Sequence, residues 1–149
     1  VKGFRDDGVM ATEFGFRPDW TLASPAEHIR RVAENGLRYP GVDPLDVFRQ
    51  HRVDPNLPIE GVAGAFEELI EAGAVRWFGM PEAGPDTLRR AHVVQPVAVL
   101  PTGHSLFART VDQLFPTLEE LGTGFVAWSP QGRGFLTARR NPWPNTTSA

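Results

Sequence analysis

Cysteine is absent from this sequence. Its absence excludes disulfides, thiolate metal sites and a cysteine nucleophile, and by itself says nothing of the compartment. Tyrosine is reduced to a single residue, Tyr39, which matters because a phenol is a common proton donor to a carbonyl oxygen. No apolar run comes near the roughly 18 residues of a membrane-crossing helix, and the opening VKGFRDDG carries no apolar leader core. Neither sign of charge dominates: 15 Lys and Arg are interspersed with 18 Asp and Glu, for a net charge of -3. There is thus no basic face to neutralise a phosphate backbone and no acidic arm. The histidines, His28, His51, His92 and His104, include no pair four residues apart. That is the helical spacing of a zinc site, so no metal is expected. These absences set aside thiol chemistry, nucleic acid, membrane and metal, and they make a cytoplasmic protein the expectation.

What is present suits one domain with a real core: 149 residues, 41% hydrophobic and 22% charged. Glycine and proline punctuate periodic segments and do not gather in a tract, which predicts many short elements. Val9 to Thr12 reads as a β-type run ending in Phe14-Gly15-Phe16, followed by the polar loop RPDWTLA. Ser24-Pro25-Ala26-Glu27 places an N-cap serine, a proline at the first helical position and a glutamate at the third. The helix so opened runs through Ile29, Val32, Ala33 and Leu37 and stops at Pro40-Gly41. Leu45 to Gln50 is a strand that delivers His51, and RVDPN turns the chain. Ile59, Val62, Ala63, Phe66, Leu69 and Ile70 share one helical face, opposite Glu60, Glu67, Glu68 and Glu71, with Gly73 as the cap.

The cycle then repeats. Ala74 to Gly79 is a strand, a helix opens at Pro85-Asp86 and runs through Leu88 and Ala91, and Val97 to Leu100 is the next strand. A further helix carries Leu114, Leu118 and Leu121 to a stop at Gly122, with Pro116 awkwardly inside it, and Phe125 to Trp128 is the last strand. NPWPNTTSA carries no periodicity. The domain is therefore expected over 1–138, with a disordered tail over 139–149. Strands that alternate with helices and read as near-continuous apolar runs predict a parallel sheet covered by helices, so the class is α/β. Either an open doubly wound sheet or part of a (β/α) barrel answers to that order, and both place function at the carboxyl ends of strands.

Three candidates stand at those ends. Glu13 closes an apolar run, where a carboxylate needs a partner because desolvating it costs several kcal/mol in practice, roughly. His51 follows a strand and neighbours Arg52 and Asp54; it reads either as a loop residue or as a proton-transferring group. SPQGRGFLT, Ser129 to Thr137, has G-x-G after a strand, which is either a tight turn or a phosphate cradle of backbone N–H groups. It lacks the third glycine of the dinucleotide fingerprint. Trp128 before it is either core or a flat surface for an aromatic ring. His28 and His92 fall on helices and are expected to be solvated.

VMATEFGF, the long block FRQHRVDPNLPIEGVAGAFEELIEAGAVRWFGMPEAGPDTLRRAH, and GFVAWSPQGRGFLT follow one another in an order and spacing that resemble the aldo-keto reductases. The resemblance covers nearly the whole chain to about Ala138. It implies an incomplete TIM (β/α)8 barrel, comprising strands three to seven of the eight. The implied activity is NADPH-dependent reduction of aldehydes or ketones, so NADP(H) and a small carbonyl substrate are the implied cofactor and partner. The family uses a tyrosine as general acid, helped by a lysine, an aspartate and a histidine.

By this resemblance His51 falls on the histidine and Glu13 on the lysine, a reversal of charge that opposes ionisation of a nearby phenol. The aspartate and tyrosine would precede Val1, and Tyr39 lies on the wrong element to replace the tyrosine. Trp128 holds the place of the ring-stacking tyrosine. Ser129, Gln131 and Gly132 match the pyrophosphate-contacting loop. Pro81 and Pro101 stand where a serine and a glutamine contact the nicotinamide amide, and Gly103-His104 replaces a common Glu-Tyr pair. An impaired reductase is the leading expectation. A non-catalytic nucleotide-binding or interaction protein is the second, and an inert fragment the third. Five strands leave two open edges, which would invite self-association.

Overall fold

The computed structural model describes residues 3, 5–42 and 44–137. The tail expected over 139–149 lies outside the described residues. The strands are β1 (Ala11–Phe14), β2 (Leu45–Gln50), β3 (Val75–Gly79), β4 (Val97–Gly103) and β5 (Gly124–Trp128). Between them run α1 (Ala26–Arg38), α2 (Ile59–Glu71), α3 (Pro85–Val94) and α4 (Phe115–Leu121). All four strand pairs are parallel, and the sheet order is β1-β2-β3-β4-β5. A doubly wound sheet reverses its order partway, and this one does not; consecutive order is what strands of a (β/α) barrel show. The architecture is an incomplete barrel, with β1 and β5 as its edges.

Strand alternation sorts the side chains into two faces. Phe14, Phe48, Phe78, Met80 and Leu100 join Ile29, Ala33, Phe66, Leu69, Leu88 and Leu118 of the helices in one core. Its centre is aromatic: Phe66 of α2 stacks on Phe78 at 4.0 Å between centroids and meets Phe48 at 5.4 Å and Phe14 at 5.6 Å. Outside the core, one arginine–glutamate pair ties each helix to the next: Arg30 with Glu68, Arg90 with Glu60 at 2.6 Å, and Arg89 with Glu120 at 2.7 Å. The opposite face of the sheet carries Ala11, Val47, Val99 and Val126 and lines a concavity. There Val126 is 50% exposed, and Trp77 of β3 is 58% exposed.

Four local expectations are corrected. β1 begins two residues later than its apolar run, because pairing starts at Ala11 with Val47; Phe14 is buried, while Val9 is exposed. Ser24 does not cap α1. Pro25 occupies the cap, its carbonyl accepting from the Ile29 N–H, while the buried Ser24 hydroxyl accepts from the Gln50 side-chain amide at 2.9 Å. Pro116 does not interrupt a helix either: a 3-10 segment, Thr110–Leu114, precedes α4, so the proline falls in the first turn, where its lost N–H has no intrahelical partner to give up. α2 follows its expected apolar stripe, but its C-cap is Ala72, and Gly73, expected as the cap, follows it in left-handed backbone at φ 74.

Candidate functional site

At the carboxyl end of β1, Glu13 lies beside Arg49 of β2, its partner in the strand register. One carboxylate oxygen of Glu13 pairs with the Arg49 guanidinium. The other lies 2.7 Å from Nδ1 of His51. The partner that the sequence left unassigned is therefore a cation on the neighbouring strand together with the candidate histidine. Arg49 escaped the sequence reading. The signal that finds it is parity: Glu13 and Arg49 each stand two residues before Gly15 and His51, on the same face of adjacent strands.

His51 is fixed from several sides. Its backbone N–H donates to the Phe14 carbonyl at 2.8 Å, extending the β1–β2 pairing beyond the strands. Its ring meets Phe16 edge-on at 5.0 Å between centroids. Phe16 is held by an antiparallel bridge to Leu22 across the polar loop after β1. Behind His51, the buried Asp54 accepts from the backbone and side chain of Asn56, at 3.0 and 3.1 Å, and so turns the chain as RVDPN predicts.

Glu13's two partners open onto a concavity of about 890 Å³, whose lining includes Arg49, His51, Pro81, Pro101 and Trp128. Pro81 and Pro101 offer no side-chain donor to it. Trp128 is 51% exposed, with its indole against Gly103, where an added Cβ would stand 3.1 Å from the ring. Beyond Trp128 lies a second hollow of about 510 Å³, walled by His104, Phe107, Ser129, Gly132, Arg133 and Phe135 among others.

The loop that follows β5 is a series of turns. The N–H groups of Gly132, Gly134, Phe135, Leu136 and Thr137 all donate to carbonyls within it. Ser129 and Arg133 hold left-handed backbone, at φ 54 and 55, which costs a side-chain-bearing residue about 1–2 kcal/mol. Gln131 is exposed. Arg133 makes no ion pair among the described residues. Sequence reasoning missed Arg133, Phe107 and Phe135, because nothing local says that two loops will face each other.

The other histidines have structural duties. His104 lies 3.0 Å from Asp112 through Nε2 and packs edge-on against Phe115 and Phe125. The Arg109 guanidinium, with His104 beside it, holds the Asp112 carboxyl below its ordinary range. His92 is not simply solvated: its Nδ1 accepts from the Val97 N–H at 3.2 Å. His28 is half-buried with Nε2 enclosed, and burial, then Arg31, pushes its pKa down. Tyr39 sits at the end of α1, exposed, under the Arg38 guanidinium. Among the described residues no cluster of His, Asp and Glu is placed to hold a metal, and no helix is long and apolar enough to cross a membrane.

Comparison with known proteins agrees with this arrangement. The chain is 40% identical over 137 residues to "Probable aldo-keto reductase 1" of Glycine max, covering 89% of the chain and 40% of that protein. It is also 40% identical over 141 residues to an aldo-keto reductase of Strobilurus tenacellus, covering 92% and 42%. Among solved structures, a glycerol dehydrogenase of Gluconobacter oxydans superposes with a TM-score of 0.85 at 25% identity, over 93% of this chain and 46% of that one. The holo form of an aldo-keto reductase of Bacillus halodurans gives 0.81 at 26% identity, over 95% and 47%. The chain thus spans less than half the length of these relatives. The model of the Aldo/keto reductase family matches residues 2–148, and the chain belongs to that family.

Proposed function

We propose that this chain forms the cofactor-facing part of an oxidoreductase that reduces an aldehyde or ketone with NADPH, residues 1–138 forming its barrel domain. The observation that carries the reading is that His51, just after β2, and Trp128, at the end of β5 three places away in the sheet, line one concavity. The residues fit a dinucleotide. Trp128 offers a half-exposed flat face, Arg133 a cation without an ion pair among the described residues, and Ser129 a hydroxyl in the same hollow. Because the loop's N–H groups largely bond within it, Arg133 and Ser129 would meet the phosphates, with Gln131 and Gly132 shaping the turn. When bound, the reduced dinucleotide supplies hydride; His51 orients the carbonyl oxygen. Titration of the chain with NADPH, followed by quenching of tryptophan emission, tests this reading. Saturable quenching that Trp128→Ala weakens is expected, and no saturable binding sinks it.

The pairing of Glu13 with Arg49 and His51 favours a second reading, a nucleotide-binding protein with little turnover of its own. Glu13 cannot supply the ammonium that eases proton loss from a phenol. NADPH binding without oxidation across a panel of aldehydes supports this alternative. NADPH oxidation by the parent chain with any of these aldehydes supports the reductase. Self-association through the β1 and β5 edges would appear as a dimer or larger species in light scattering.

A further inference from the structure

A carboxylate offers only acceptors, so the 2.7 Å contact between Glu13 and Nδ1 of His51 requires the imidazole to carry its hydrogen at Nδ1. Which ring nitrogen is protonated in a neutral histidine is set by the bond the other makes. Nε2 makes no hydrogen bond to a described residue, and the His51 ring, 41% exposed, lines the concavity. Glu13 is in turn steadied by Arg49, and the Phe14 carbonyl and the Phe16 ring hold His51 against rotation. Each contact restricts the same ring, leaving one nitrogen for a ligand.

We propose that Glu13 is the positioning residue of His51: it fixes the Nδ1–H tautomer and makes Nε2 the proton-exchanging atom of the concavity. This rests on the oxidoreductase reading for its substrate, a carbonyl or alcohol oxygen, but not for its geometry. With a reduced dinucleotide bound to supply hydride to the carbonyl carbon, His51 would give the carbonyl oxygen the proton held at Nε2 of the imidazolium. The C=O π bond would then be replaced by a C–H and an O–H bond. Neutral imidazole remains with its hydrogen at Nδ1, and solvent returns the proton to Nε2. The carboxylate at position 13 thus has a task that a lysine there cannot perform, since an ammonium donates to Nδ1 and forces the hydrogen to Nε2.

The test is the tautomer, read from the ring ¹⁵N shifts of the full 149-residue chain at a pH where His51 is neutral. In the parent protein Nδ1 should be the protonated, pyrrole-like nitrogen and Nε2 the free, pyridine-like one. Glu13→Lys, whose ammonium can only donate, should exchange the two shifts. A parent protein protonated mainly at Nε2 overturns the proposal even if a variant fails to fold. So does an unchanged tautomer in Glu13→Lys whose backbone spectrum is otherwise that of the parent. Failure of NADPH to bind while the tautomer pattern holds removes the oxidoreductase reading and leaves the role of Glu13 standing.

Discussion

Two carboxylates on neighbouring strands meet arginines at opposite ends of the sheet, and their surroundings give them different work. Asp46, near the start of β2, is 4% exposed. It accepts from Arg5 and from the Met10 backbone N–H, each at 2.8 Å, and meets Arg76 at 3.1 Å. Glu13, at the end of β1, pairs with Arg49 and His51, and its side chain is 38% exposed. The Asp46 cluster joins the segment before β1 to β2 and β3, and its carboxylate is enclosed although Arg76 reaches solvent. The Glu13 cluster is open to the concavity. Burial with all valences filled makes a structural fastening, whereas exposure of one face leaves a group free to act.

Removing Asp46 should break the structural end most. Asp46→Ala leaves the Met10 N–H without its acceptor and takes the carboxylate from Arg5 and Arg76, while Arg5 keeps the Pro44 and Gly8 carbonyls. Arg76 is 57% exposed and can turn to water, so the loss should be about 3 kcal/mol, below the upper range for a fully buried pair. Urea unfolding measures it. The effect should also depend on pH in a definite direction. Hydrogen bonds from Arg5 first, and from Met10, hold the Asp46 carboxyl below its ordinary range. A group depressed on folding contributes stability that is fully present above its unfolded value and is lost as pH falls through the folded one. The gap in stability between the parent protein and Asp46→Asn should therefore be constant near neutrality and close on acidification. A gap that widens in acid would contradict the assignment.

Gly79 sharpens the comparison from the other side. A Cβ there would stand 2.7 Å from Cβ of Arg49 and 3.1 Å from the Val99 side chain, so Gly79 makes room for the arginine that holds Glu13. Gly79→Ala should cost about 1–3 kcal/mol through overpacking, measured by thermal unfolding, and should displace Arg49. At the face proposed for the dinucleotide, Trp128→Ala should weaken NADPH binding by about 0.5–1.5 kcal/mol, or roughly two- to tenfold, in the titration described above.

The fold was largely legible because its signals are local. The apolar stripe of α2 and the glycine that follows it depend on neighbours a few residues apart, and that helix was expected over nearly its full span. The resemblance then decided between two arrangements that periodicity could not separate. What stayed hidden depends on partners remote in sequence. Ser24 has the composition of a cap, but a glutamine 26 residues later engages its hydroxyl. His92 looks solvated on its helix until the chain returns and Val97 donates to it. Glu13 looked partnerless for the same reason: Arg49 becomes its neighbour only once the register of two strands is fixed, 36 residues apart.

Glu13 itself should give the smallest change in stability and the most informative one. Its pair with Arg49 is partly solvated, and such pairs contribute about 0–1 kcal/mol, so Glu13→Ala should unfold within about 1 kcal/mol of the parent protein. With no carboxylate at Nδ1, nothing at position 13 holds the hydrogen there, and the His51 ring should show a mixture of tautomers. A small change in stability with a large change at the ring would mark this end of the sheet as built for proton handling. A loss as large as that of Asp46→Ala would instead make the two carboxylates alike, both serving to hold β1 against β2, and would leave the exposed nitrogen of His51 without an orienting partner.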